Sequence, residues 1–340
     1  MLCEKIGRGF ACAGGLMLLF WAGATQGQEL GKHKPGKQVT ELLGGRLQVR
    51  MPEKARVEGR QHSIMAAPEA LTEETRVVLD AGNERLVLMA WELFATSGGD
   101  LAKAVAADVA KWGDMAQGAK VEPLPVPKPL QDARLAIPGK HDLSREAILV
   151  LAAYVESADG TVQMLAFYVN PAGAKDLGGC TALAKSVAQT IGAGAKRLDL
   201  SAGKKRFAGA GDKDFLALDV PAGFVATTQQ GPDFSVYRLR RVSVLGEPGA
   251  SIGIYLGGHP SYQHKQARDE KLEFSTAKGK LLGQEVEWHT WSRGPAATTE
   301  AILPHPGAKG LFLHLFLSAA GEAALAPLRA IAETIKIEHE

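Results

Sequence analysis

The sequence predicts an α+β protein of two similar domains, each an antiparallel sheet with a C-terminal helix packed on one face. Three observations carry that expectation. Two strand-like openings end in proline, Arg46-Leu47-Gln48-Val49-Arg50-Met51-Pro52 and Phe215-Leu216-Ala217-Leu218-Asp219-Val220-Pro221. Apolar residues alternate in both, and proline stops a ladder because it has no N–H to donate. Hairpin-like runs follow each opening. Each series then closes on an amphipathic helix with nearly the same last turn, Ala188-Gln189-Thr190-Ile191 and Ala332-Glu333-Thr334-Ile335.

Taken in order, the first element is a leader. Lys5 and Arg8 precede an apolar run from Phe10 to Trp21, and Ala22-Gly23-Ala24 is a small-x-small cleavage signature. That order reads as a secretory signal peptide over residues 1–27 and places the mature chain in the periplasm or outside the cell. The apolar run is too short to cross a bilayer comfortably, and no later segment reads as a span. Residues 28–40, with Lys32-His33-Lys34-Pro35-Gly36-Lys37, read as a flexible linker.

The formal net charge is +2, and the leader carries only Lys5, Arg8 and Glu4, so the mature chain is nearly neutral. A nucleic-acid binder normally shows a basic excess, so that class is set aside. Cys3 and Cys12 leave with the leader, and Cys180 remains alone, without a partner for an internal disulfide. Before an apolar helix it reads as a small packed residue.

The first domain is expected at 41–194. Strands are expected over 76–79 and 85–94, joined at Ala81-Gly82-Asn83, and a second hairpin pairs 148–156 with 162–169 around Asp159-Gly160. The helix 181–191 puts Leu183, Val187 and Ile191 on one face. Residues 195–214, rich in Gly, Ala and Lys, read as an interdomain linker. The second domain is expected at 215–340, with a hairpin of 236–245 and 251–256, a counterpart hairpin of 285–291 and 311–317, and a helix over 322–335. The middles differ: an amphipathic helix at 100–112 and a proline run at 123–129 in the first, a polar loop at 257–265 in the second.

The pattern V-P-x-G-F after an opening strand with A-x-T-I at the end, here Val220-Pro221-Ala222-Gly223-Phe224 and Ala332 to Ile335, resembles the PsbP/DcrB-like α+β sandwich family. The first half keeps Met51-Pro52 without a Gly-Phe after it. Two such units behind a signal peptide resemble periplasmic immunity proteins of type VI secretion systems, including two-domain inhibitors of secreted lipases. The resemblance implies a protein partner, a secreted effector enzyme, with no shared catalytic residues and no cofactor.

The residues offer little catalytic chemistry. Gly249-Ala250-Ser251-Ile252-Gly253 spells G-x-S-x-G, but a nucleophile elbow needs a strand before the serine and a helix after it, and here a turn precedes and a strand follows. Ser201 and Lys204 spell S-x-x-K inside a Gly-Ala-Lys stretch. His259, His264, His289 and His305 gather in the second half, where a metal site would need three or four ligands converging on one point. In Trp288-His289-Thr290-Trp291 the two tryptophans point to opposite faces of a strand, so one is core and the other is free to be exposed or covered. The expected function is a non-catalytic binding protein that recognises its partner with loops. Tyr262 is the first candidate anchor, with His259, His264 and Trp291 beside it. A cell-envelope assembly or lipid-handling factor is the alternative, and a hydrolase using Ser251 a more distant one.

Overall fold

The computed structural model describes residues 29–64 and 71–340; the signal-peptide reading falls outside them. The described chain mixes helices with antiparallel sheets and is mostly strand. It divides into two compact units. The first comprises the described residues up to Gln61, then Leu71–Arg197 and Val244–Gly246; the second holds 62–64, Leu198–Ser243 and Glu247–Glu340.

The first unit runs β1 (Thr40–Leu42), β2 (Leu47–Val49), β3 (Arg56–Ile64, whose last three residues count with the second unit), β4 (Leu71–Ala81), β5 (Glu84–Thr96), α1 (Leu101–Val109), β6 (Lys120–Pro123), β7 (Asp132–Ile137), β8 (Ile148–Glu156), β9 (Thr161–Val169), α2 (Leu177–Ala188) and β10 (Gly192–Ala193). Its main sheet has the order β3-β4-β5-β9-β8-β7-β6, and a small sheet has the order β1-β2-β10. Helix α2 covers one face, with Leu183, Val187, Leu30, Leu42 and Leu47 in the core beneath it. Helix α1 covers the other, with Val105, Val109, Trp112 and Leu245 over Tyr154 and Met164. Strands covered on both faces bury every residue, which is why β9 has no exposed position and reads as a continuous apolar run. Each helix starts on an aspartate: Asp100 accepts the Lys103 N–H at 2.9 Å and Asp176 the Gly179 N–H at 2.9 Å.

The second unit runs β11 (Gly203–Ala208), β12 (Asp214–Val220), β13 (Phe224–Gln230), β14 (Phe234–Arg241), β15 (Ser243–Val244, whose Val244 counts with the first unit), β16 (Ser251–Gly257), α3 (Gln263–Asp269), β17 (Phe274–Leu281), β18 (Gln284–Arg293), β19 (Ala296–Pro304), β20 (Phe312–Ala320), α4 (Leu325–Ala332) and β21 (Lys336–His339). Its main sheet has the order β13-β14-β16-β20-β19-β18-β17 and its small sheet the order β11-β12-β21. Helix α4 closes a core of Leu328, Ile331 and Ala332 over Ile254, Trp288, Ala301 and Leu315.

The echoed A-x-T-I does the same work in both places. Thr190 donates its hydroxyl to the Val187 carbonyl at 2.7 Å and accepts the Arg50 N–H at 2.8 Å. Thr334 donates to Ile331 at 2.7 Å and accepts the Asp219 N–H at 3.0 Å. The threonine thus ties the end of the helix to the last turn of the opening strand, two residues before its proline.

Several expectations are corrected. Residues 28–40 are not a free linker: Leu30 is fully buried and its N–H donates to Glu84 Oε2 at 2.7 Å. Within 195–214, Gly203–Ala208 forms β11 on β12, because Phe207 inserts a wholly buried ring into the core. The segments 285–291 and 311–317 are not hairpin partners. Strand β19 lies between them, paired to β18 and β20, after a tight turn at Gly294, whose φ of 59° suits glycine. The loop expected at 257–265 runs into helix α3, so both units carry a helix after their third main-sheet strand.

Candidate functional site

On β18, β19 and β20 residues alternate between two faces. Trp288, Ala301 and Leu315 point to the α4 core. The opposite face receives His289, Glu300 and His314, and helix α3 lies against β18. His289 and Glu300 are directly paired across β18 and β19, and paired residues on one face place their Cβ atoms about 5 Å apart.

Glu300 is the centre. Its side chain is fully buried (0%) and accepts three N–H groups. His264 Nδ1–H donates to Oε1 at 2.5 Å and the His264 backbone N–H to the same oxygen at 2.7 Å. His314 Nε2–H donates to Oε2 at 2.8 Å. Burial alone would push this carboxyl up, but those bonds outweigh it and hold Glu300 below the usual glutamate range. An ionised acceptor requires both histidine nitrogens to carry protons, which leaves His264 Nε2 and His314 Nδ1 as the open positions.

The rings continue outward. His289 stacks on His264 with centroids 4.1 Å apart and an interplanar angle of 23°. Phe274 of β17 stacks on His289 at 5.9 Å, and Arg268 lies over Phe274 at 4.4 Å. Tyr262 meets His264 edge-on at 5.9 Å and carries Lys265 over its ring at 4.3 Å. Tyr262 is 41% exposed. Burial, then the neighbouring His264, lowers the His289 pKa below the ordinary histidine value. Its Nδ1 is buried without a hydrogen-bond partner, and its Nε2 lies 3.6 Å from Glu287.

Helix α3 depends on this cluster. Its N-cap, Tyr262, makes no side-chain cap, so the N–H at its first turn is satisfied by Glu300 from the sheet. Among its residues only Ala267 is buried.

A search of family models, of curated proteins and of solved structures finds no match to this chain.

Of the four candidate anchors, Tyr262 and His264 come together. His259 is exposed and outside the Glu300 network; its backbone N–H donates to the Tyr255 hydroxyl at 3.1 Å. Trp291 is corrected: it is only 8% exposed, because the face it shares with His289 is covered, and it offers little surface to a partner. Of the four histidines weighed as ligands, only His264 and His289 meet. His305 sits buried beyond β19, accepting the Gly307 N–H at 3.2 Å. Among the described residues no group of three or more His, Cys, Asp or Glu is arranged to hold a metal ion. Glu300 and His314 escaped the sequence reading, since only the β18–β19–β20 register brings them to His264.

The serine motifs have structural readings. Ser251 opens β16, paired to β14 and β20. A Cβ at Gly253 would come within 2.0 Å of the Phe316 ring, so that glycine makes room for an aromatic side chain. Ser201 hydrogen-bonds Asp199, and Lys204 lies in β11 and pairs with Glu338.

Cys180 is buried with its thiol donating to the Gly173 carbonyl at 3.3 Å, and burial pushes its pKa up to about 12. A thiol held in its neutral form is a poor nucleophile.

The other buried ionic cluster lies in the first unit. Arg46 Nε–H donates to Glu92 Oε2 at 2.7 Å and Nη1–H to Asp159 Oδ2 at 2.8 Å; Nη2–H reaches Thr161 Oγ1 at 2.6 Å. Gln163 closes the far side of Glu92. Burial, opposed by Arg46, pushes the Glu92 carboxyl up to about 6. Every polar arm points inward, so this cluster fixes the β8–β9 turn to β2 and β5.

Proposed function

We propose that this chain is an exported binding protein that acts without turnover and presents Tyr262 of the second unit to a protein partner. The observation that carries the reading is an exposed aromatic ring on a prearranged base. Tyr262 rests on His264, which Glu300 holds by two hydrogen bonds, while Lys265 caps the ring. Exposed tyrosine on a rigid support supplies contact area at low entropic cost and is common among residues that dominate interfaces.

We further propose that the two units are copies of one α+β plan. Support comes from their element order: two strands of a small sheet, three strands of the main sheet, a helix, four more main-sheet strands, a helix, and a last short strand. Leu47 and Gln48 pair with Ala193 and Gly192 as Leu216 and Ala217 pair with Ile337 and Lys336. The resemblance to two-domain immunity proteins suggests that the partner is a toxic secreted enzyme. A lipid-handling role is the second reading.

The test is affinity capture on the immobilised mature chain, followed by an inhibition assay on the captured enzyme. Tyr262→Ala should weaken the complex by about 2 kcal/mol, roughly 30-fold. Leu143→Ala, at an exposed apolar residue of the first unit, should leave it unchanged. Equal affinities for the two variants would move the contact off Tyr262. Co-purifying lipid with no captured enzyme would favour the envelope reading, and ester turnover lost in Ser251→Ala would establish a hydrolase.

A further inference from the structure

We infer that the His264–His289–Glu300–His314 cluster is a proton-operated clasp that holds helix α3 on its sheet at neutral pH and releases it under mild acid. Its use as a control of binding rests on the reading that Tyr262 meets the partner; the clasp itself does not.

Glu300 supplies one buried negative charge and serves two histidines at once. One added proton on His264 or His314 is balanced by that carboxylate. A second proton has no buried counter-charge to meet. His289 and His264 lie face to face at 4.1 Å, an arrangement that suits two neutral rings and sets two imidazolium ions against each other. The remaining charged groups around His289 come from two elements. Arg268 of α3 adds positive charge, and Glu287 of β18, which with Glu300 supplies the negative charge acting on His289 among the described residues, is mostly exposed at 3.6 Å. Phe274 stacks on His289 as a neutral ring.

The mechanical consequence follows from the cap. In the first turn of α3 the His264 N–H is satisfied by Glu300 rather than by a side-chain cap, and only Ala267 of the helix is buried. A seven-residue helix has little stability of its own. Once the stacked histidines charge, the bonds to Glu300 compete with repulsion from the same rings, and besides Ala267 the other ties of the helix are exposed ones, Arg268 over Phe274 and Glu270 with Arg293. Histidine is the side chain whose ordinary pKa places such a change between pH 5 and 8.

The experiment is hydrogen–deuterium exchange with mass spectrometry on the full mature chain at pH 7.5 and pH 5.5, corrected for the intrinsic pH dependence of exchange. Protection of amides over 262–270 should fall about tenfold at the lower pH, the change produced by roughly one pH unit of linked titration. In His289→Gln the fall should shrink to less than about twofold, because the stacked pair can no longer charge twice. Equal protection at both pH values in the wild type would overturn the inference, as would an undiminished fall in His289→Gln. If that variant fails to fold by circular dichroism, titration of the wild-type histidine Cε1–H signals decides the matter. Coupled curves for His264 and His289 support the clasp, and independent curves at ordinary values sink it. A confirmed clasp with a partner affinity that ignores both pH and Tyr262→Ala would leave the clasp standing and overturn the proposed contact.

Discussion

The first and second units thread their strands in the same order yet fill the second face of the main sheet differently. In the first, α1 with Trp112 and Leu245 seals an apolar core over Tyr154, Met164 and Ala166. In the second, α3 lies over histidines and a carboxylate, with a single buried residue of its own. The buried ions differ in kind as well. Arg46 and Glu92 face each other among inward-pointing partners, whereas Glu300 reaches through His264 and Tyr262 to solvent. The same strand order thus accompanies two arrangements: a sheet sealed on both faces by apolar side chains, and a sheet whose second face is held by titratable groups.

The strongest way to break that comparison is at Arg46. Arg46→Ala leaves Glu92 buried without its counter-ion, and breaking a buried pair costs about 3–5 kcal/mol. Urea denaturation should show that loss for segments of the first unit. A cost under about 1 kcal/mol would mean that the network does not fasten the β8–β9 turn.

A smaller effect sharpens it. Thr190→Val and Thr334→Val remove matching hydroxyls, each of which donates once and accepts once. Each should cost about 1 kcal/mol, and the two costs should agree within about half of that. A large effect at one and none at the other would deny that the echoed helix ends are equivalent.

The sequence carried the parts of this account that rest on burial. Strands β8 and β9 were plain because both of their faces are covered, and the opening strands because proline ends them. Strand β17 escaped notice: as an edge strand it is mostly exposed and needs no apolar alternation, and Lys278 and Lys280 are the kind of residues that protect such an edge. Strand β19 escaped because Ala297, Thr299 and Ala301, which face α4, give a weak hydrophobic signal. Helix α3 is polar around almost its whole circumference. At the site, His264 and Tyr262 stood out by residue type, while Glu300 and His314 became legible only once β19 was in register. The Arg46–Glu92 pair was invisible for the same reason, since nothing local in sequence marks a contact made across the sheet.

The difference between the units predicts opposite responses to acid. Glu92 has a folded pKa of about 6 against an ordinary 4.5, so its contribution is fully present below 4.5 and is lost as pH rises through about 6. Burial raises Asp108 in the same direction. His289 is lowered from 6.5, so its contribution is present above 6.5 and is lost as pH falls toward the folded value. Glu300, lowered from 4.5, begins to lose its contribution only below that value. Pulse hydrogen exchange along a urea gradient at pH 7.5 and pH 5.0 measures both units at once, through peptides covering 148–169 and 296–320. The account predicts that the unfolding midpoint of the first segment rises or holds at pH 5.0 while that of the second falls. Equal shifts in the same direction would contradict it.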